Sequence, residues 1–267
     1  MPATTGIGGS NTLLAWNNYV LTSALAASSQ TATLSVNNLQ NEIGAPSSAW
    51  QTAGATQNVI VTITPQIAKS VWRAFGLFRT NLTPFATITM TLYNNPSLFV
   101  WNASVDGPEP GFGQSVLIAA TDMQADYCTI EIDDVGNPDG FLNVPLIYAG
   151  PAWQPLTGLG YETTFGGDAA LDENLSRGGQ EYPKFRYDRR RAELAFMGIR
   201  QGEVLGQLAE LQLTARRGNN ILMVPDVSSE TIAQEAIFGR VSATADVGFP
   251  YQSADRRSWR ARITERL

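Results

Sequence analysis

The chain has 267 residues, a net charge of −6, one cysteine and no histidine. The missing imidazole excludes histidine triads, imidazole acid–base catalysis and histidine-ligated metals, and the lone cysteine excludes an intramolecular disulfide. With 43% apolar residues, 16% charged residues, 24 glycines and 14 prolines, it reads as a turn-rich folded protein, long enough for one large or two ordinary domains.

Charge is unevenly spread: residues 1–150 hold 3 Lys+Arg against 9 Asp+Glu, whereas residues 151–267 hold 15 of each. The asymmetry suggests two regions and argues against nucleic-acid binding by the first. The start, MPATTGIGGSNTLLAWNNYV, lacks a positive region, and Asn17-Asn18 interrupt its apolar run, so no signal peptide is expected. No stretch approaches the ~20 apolar residues of a membrane span. Synthesis in a cytoplasm without export is the expectation.

In chain order, residues 1–15 read as a Gly/Ser/Thr-rich flexible arm that orders only against a neighbour. Residues 16–150 read as an antiparallel β-sandwich, with strands predicted at TATLSV, NVIVTIT, SVWRAFGLF, FATITMTLY, SVLIAA, YCTIEID and FLNVPLIYAG. Ala86, Ile88, Met90 and Leu92 fall on one face of their strand and Thr87, Thr89 and Thr91 on the other. Cys128, Ile130 and Ile132 alternate in the same way with Thr129, Glu131 and Asp133, which makes Cys128 a small core residue.

Residues 151–182 read as a glycine-rich connector and 183–267 as a smaller α+β domain with one main helix. KFRYDRRRAELAFMGI predicts a long strand with a charge run. GEVLGQLAELQLTARRG predicts a helix with Val204, Leu205, Leu208, Leu211 and Ala215 on one stripe, Arg216 and Arg217 at its negative end and Gly218 as its cap. Strands are predicted again at NNILMVPD, AIFGRVSATADV and RSWRARITERL, the last with Arg257, Trp259, Ala261 and Ile263 on one face. The arginine clusters at 189–191, 216–217 and 256–262 are matched by acids, so solvated faces or inter-subunit ion pairs are expected rather than a nucleic-acid groove.

The stretch DDVGNPDGFLNVPLIYAGPAW, from Asp133, has the look of a calcium loop. With Gly140 at the sixth position, however, Val135 and Leu146 fall at the first and twelfth, where oxygen ligands are required. Asn137-Pro138-Asp139-Gly140 is turn chemistry instead and predicts a hairpin connection, with no metal and no cofactor. Asp122, Asp126, Asp133, Asp134 and Asp139 sit at turns and strand ends as solvated acids, which gives no reason to expect a glycosidase pair or an enzyme.

The aromatics offer another surface. Trp50 is expected to plug one end of the sandwich. Trp101 and Phe112 fall in a predicted long loop, NNPSLFVWNASVDGPEPGFG, where they stack on a sugar with Asn102 or Asp106 hydrogen-bonding its hydroxyls, or else pack on a partner.

VNNLQNEIGAPSSAWQTAG, followed by NVIVTIT and VWRAFGLFRTNLTPFATITMTLY, resembles the opening of discoidin-like (galactose-binding-like) jelly-roll sandwiches, where an Asn-Leu pair and a loop ending in Trp precede the core strands. GNPDGFLNVPLIYAGPAWQP, SRGGQEY, DRRRAELAFMGI and NNILMVPD with AIFGRV resemble structural proteins of the tail tip of long-tailed bacteriophages. The resemblance implies a non-enzymatic virion protein, a distal-tail or baseplate-like component assembled as a homo-oligomeric ring around the tail axis with other tail proteins. The alternative it leaves open is a carbohydrate-binding module contacting host surface glycans.

Overall fold

The computed structural model describes residues 11–176, 178–242, 247–248 and 255–266. The chain divides into two compact units: residues up to Pro155 with Leu222–Ala236, and Leu156–Ile221 with Ile237–Arg266.

The first unit holds β1 (Leu13–Ala15), β2 (Ala24–Ala27), β3 (Trp50–Gln51), β4 (Asn58–Thr64), β5 (Ser70–Phe78), β6 (Thr87–Asn94), β7 (Leu98–Asp106), β8 (Gln114–Ala125), β9 (Tyr127–Asp133), β10 (Asn143–Val144) and β11 (Leu146–Gly150). A five-stranded sheet in the order β2-β4-β9-β6-β7 and a three-stranded sheet in the order β11-β5-β8 share one core, and their pairings are antiparallel. This is the expected β-sandwich.

The predicted alternation sets the register, because a slip of one residue would turn every apolar side chain outward. Ile63, Cys128, Leu92 and Trp101 form one inward row across four strands; Val61, Ile130, Met90 and Ala103 form the next. On the outer face the matching rows are polar: Thr62, Thr129, Thr91 and Asn102, then Asn58, Asp133, Thr87 and Asp106 at the strand ends. Trp50 lies wholly in the core and its indole N–H donates to the Ser29 carbonyl at 3.0 Å.

Several expectations are corrected here. TATLSV is not a strand: Thr31 Oγ1 accepts the Leu34 amide at 3.0 Å, and the chain then enters a 3-10 turn over Val36–Gln40. A threonine side chain has offered the backbone a local partner in place of a ladder. Of the arm expected over 1–15, residues 1–10 lie outside the described residues. Leu13–Ala15 are fully buried and pair antiparallel with Leu222, Met223 and Val224 of β14 (Asn220–Val224). That pairing carries Leu222–Ala236 into the first unit, and the Gln114 side chain holds it there by donating to the Ala233 carbonyl and, at 2.9 Å, to the Ala236 carbonyl.

In the second unit, β12 (Thr164–Leu175) pairs with β13 (Glu181–Arg200), so the stretch read as a connector contains a twelve-residue strand. Its glycines and acids masked the alternation of Phe165, Ala169 and Leu171. β13 pairs with β17 (Arg256–Glu265), which also pairs with β15 (Ile237–Val241) and β16 (Val247–Gly248). Trp259, Ala261 and Ile263 face inward as predicted, with the Trp259 ring stacked on Phe196 at 5.5 Å between centroids.

The predicted helix is present as Gln201–Glu203, a π turn over Val204–Leu208 and Ala209–Arg216, with Gly218 beyond its end at φ 82°. Leu208, Leu211 and Ala215 are buried, but Leu205 is exposed. The wider π turn shifts the phase of the apolar stripe, which a constant 3.6-residue period does not foresee. Among the described residues no helix is long and apolar enough to cross a membrane.

Candidate functional site

The four residues picked from sequence do not form one cluster. Trp101 and Asn102 lie within strand β7, not in a loop, and neighbouring strand residues face opposite ways. Trp101 turns inward and stacks on Phe75, centroids 5.8 Å apart and planes at 16°. It ends a run of rings through Tyr19, Trp72 and Phe75 inside the sandwich, so the face it turns to Phe75 is taken by packing. Asn102 is exposed on the outer face of the five-stranded sheet, opposite Thr91. Asp106 ends β7, and Phe112 lies in the loop between β7 and β8, partly exposed. Asp106 and Phe112 therefore share one end of the sandwich; Trp101 and Asn102 lie further along the strand.

That end is built by the loops after β5, β7 and β9 and before β4. Its most exposed apolar side chain is one that the sequence reading passed over. Phe85 is 93% exposed at the tip of the turn Thr83–Ala86, whose Ala86 amide donates to the Thr83 carbonyl at 3.1 Å. Pro84 before it sets the turn dihedral, and Ala86 after it is buried and starts the core pattern of β6, leaving Phe85 alone outside. A proline-aromatic pair between two predicted strands was the available signal.

The turn is held from behind. Asp134, 3% exposed, accepts the Thr83 amide at 2.9 Å, the Thr83 hydroxyl at 2.5 Å and the Asn137 side-chain amide at 2.7 Å. Asn137, also buried, donates onward to the Asn81 carbonyl at 2.9 Å, and Asn81 donates to Asp139 at 2.9 Å. Gln57 clamps the same loop, donating to the Asn137 carbonyl and accepting the Gly136 amide. From the other side, Gly107 donates to the Ala86 carbonyl at 2.7 Å; a Cβ there would meet the Thr83 carbonyl at 1.9 Å, so only glycine allows the approach.

Two corrections follow for the Asp133–Trp153 stretch. The Asn137–Gly140 turn exists, with the Gly140 amide on the Asn137 carbonyl at 3.0 Å and Gly140 at φ 73°. It does not close a hairpin, because β9 pairs with β4 and β6 while β10 and β11 pair with β3 and β5. Nor is Asp134 a solvated acid: its oxygens are engaged by Thr83 and Asn137. Among the described residues no three acidic or cysteine side chains are grouped as a metal would need. Cys128 is wholly buried and its thiol is pushed far up by desolvation, the state of a core residue rather than a nucleophile.

In the second unit a groove of about 700 Å³ is lined by Glu162, Glu193, Arg260 and Arg262. These charges are paired with one another, Arg260 with Glu162 and Arg262 with Glu193 at 2.5 Å. Arg186, Arg189 and Arg190 likewise pair with Asp172, Asp168 and Glu265. The clusters at 189–191 and 256–262 thus contain ion pairs within the chain, which suits the solvated-face reading.

No protein-family model and no curated protein matches the sequence. Solved structures are similar at low identity. They include a mutant lectin-binding domain of lectinolysin complexed with Lewis b (12% identity, 51% of this chain and 96% of that chain, TM-score 0.41). A fucose-binding module of Streptococcus pneumoniae (12% identity, 51% and 98%, TM-score 0.40) is another. A third is the family 32 carbohydrate-binding module from C. perfringens NanJ in complex with galactose (12% identity, 52% and 99%, TM-score 0.40). These likenesses assign no role to any residue of this chain.

Proposed function

We propose that the first unit is a non-enzymatic carbohydrate-recognition module that takes a host surface glycan at its loop end, with Phe85 as the stacking platform and Asp106 and Phe112 at the same end. The observation that carries this reading is a 93% exposed phenyl ring on a turn pinned by a buried carboxylate. A ring on a pinned turn offers an apolar face to the C–H face of a sugar with little backbone left to order, and neighbouring carboxylate and amide groups can bond hydroxyls. A glycan array probed with the full chain tests it: binding to at least one glycan is expected, lost at least tenfold in Phe85→Ala while unfolding is unchanged. Absence of binding to any glycan, or binding indifferent to Phe85→Ala, would overturn it.

A second reading rests on a separate feature. The β12–β13 ribbon leaves Phe165, Leu171 and Phe185 more than half exposed, a surface suited to contact with another protein chain. Together with the resemblance drawn from the sequence, it supports a structural protein of a bacteriophage tail tip, assembled around the tail axis, on which the sandwich is displayed. Antibody labelling of purified particles in electron micrographs is the test: label at the tail end is expected, and unlabelled particles exclude it.

A further inference from the structure

The β12–β13 ribbon exposes large apolar side chains. A bulge between Ala170 and Leu171 shifts the pairing, so that Phe165, Gly167, Ala169 and Leu171 share one face with Phe185, the cross-strand partner of Leu171. The opposite face carries the ion pairs Arg189–Asp168 and Arg186–Asp172. The Phe165 face also carries Arg190 and Asp188, the partners of Gly167 and Ala169, yet it leaves three large apolar side chains in water: Phe165 is 53% exposed, Leu171 52% and Phe185 62%. A two-stranded ribbon is marginal in water by itself and gains stability when its exposed apolar side chains and free edge are covered.

β12 ends the strand order of its sheet, so its outer edge of amide and carbonyl groups pairs with no strand among the described residues. TFGGDAALDENL holds no lysine, arginine or proline, and its charged residues are all acids, so pairing at this edge depends on a register that keeps those acids apart. The sequence is instead complementary to itself about Ala169. Folded antiparallel on a two-fold axis through that residue, Asp168 faces Ala170, Gly167 faces Leu171 and Gly166 faces Asp172, so none of these acids meets another. Equal parity keeps the exposed apolar residues of both copies on one side, as a two-fold axis across a sheet requires.

The glycines fall where the larger side chains of the other copy need room. The charges agree as well. The Arg191 guanidinium lies over Gly166, its Nε 3.7 Å from where a Cβ would stand, and Arg191 makes no ion pair of its own among the described residues. In this register it meets Asp172 of the second copy.

We propose that β12 is a homotypic docking edge: two copies of this chain join their β12 strands antiparallel, centred on Ala169, into one continuous sheet. The interface is independent of the glycan reading, and its test reads mass rather than binding. Sedimentation of the full chain at micromolar concentration is expected to give twice the monomer mass. Ala169→Cys is expected to form a disulfide-linked dimer on mild oxidation, because cross-strand Cα atoms at about 4.5–5.5 Å lie within disulfide reach. Phe165→Cys, whose counterpart is residue 173 of the other copy, is expected to stay unlinked, and buried Cys128 makes the wild type a clean control. Ala169→Lys sets two cations on the axis and should halve the mass, with an unchanged circular dichroism spectrum showing that the exposed site tolerates it. A monomeric wild type, an oligomer unaffected by Ala169→Lys, or linkage through Phe165→Cys in place of Ala169→Cys would each overturn the proposal.

Discussion

Trp101 lies stacked on Phe75, ring centroids 5.8 Å apart, joining the five-stranded sheet to the three-stranded one through the core. Replacing it removes packing rather than a ligand contact. Trp101→Ala should therefore destabilise the first unit by about 3 kcal/mol, the lower end for large aromatic truncations, because the side chain is only partly buried. Denaturant unfolding monitored by circular dichroism checks this. A change below about 0.5 kcal/mol, the scale of an ordinary surface substitution, would contradict the packing role.

Asp134 is the buried acceptor that ties the loop after β9 to the Thr83–Ala86 turn. Asp134→Ala leaves a backbone amide, a hydroxyl and a side-chain amide without their partner. A loss of about 3 kcal/mol is expected for breaking a buried network of this kind. Faster hydrogen exchange at the Thr83 amide should accompany it, and unchanged protection there would argue against the tie.

Asp126 sits at the other end of the sandwich, where its carboxylate accepts the Asn95 and Lys69 amides at 2.8 Å each. The Asn95 amide first, then the Lys69 amide, hold this carboxyl below its ordinary range. A lowered folded-state value means that its stabilisation is complete above the unfolded value of about 3.9 and is lost as pH falls through the folded one. NMR titration of the Asp126 side chain should give a midpoint below that of a free aspartate. Asp126→Asn should flatten the acid-side decline in melting temperature, and an identical decline in both proteins would count against the assignment.

Gly239 lies in β15 opposite Glu265 of β17, where a Cβ would come within 2.0 Å of the Thr264 carbonyl oxygen. Backbone cannot yield there without parting the strands. Gly239→Ala should cost about 3 kcal/mol or more in the second unit, in the range of severe overpacking. Thermal unfolding followed by circular dichroism reads it, and a wild-type transition would refute the contact.

Much of the sandwich was legible in the chain. Thr87 to Leu92 and Cys128 to Asp133 announced their faces, because a strand repeats every two residues and water sorts the two sides. The helix over 201–216 was equally plain apart from the π turn that exposes Leu205. The candidate site was harder. Trp101 looked like a loop aromatic because NNPSLF and DGPEPG flank it, yet NASV between them continues a strand. Phe85 escaped notice because one exposed phenylalanine after a proline has no periodicity to mark it. β12 was hidden because glycines and acids dilute its alternation and its strand character comes from pairing with β13.

The pattern of polar and apolar residues along each segment was enough to specify a mostly β chain, its inward residues and the absence of histidine chemistry, since those depend on neighbours a few residues away. Distant meetings were not encoded locally. Leu13 finds Val224, Thr83 finds Asp134 and Gln114 finds Ala236 only once the chain has closed on itself. Such contacts depend on what the rest of the backbone brings within a few ångströms, and they determine which acid is buried, which aromatic is held outside and which strand is left with an open edge.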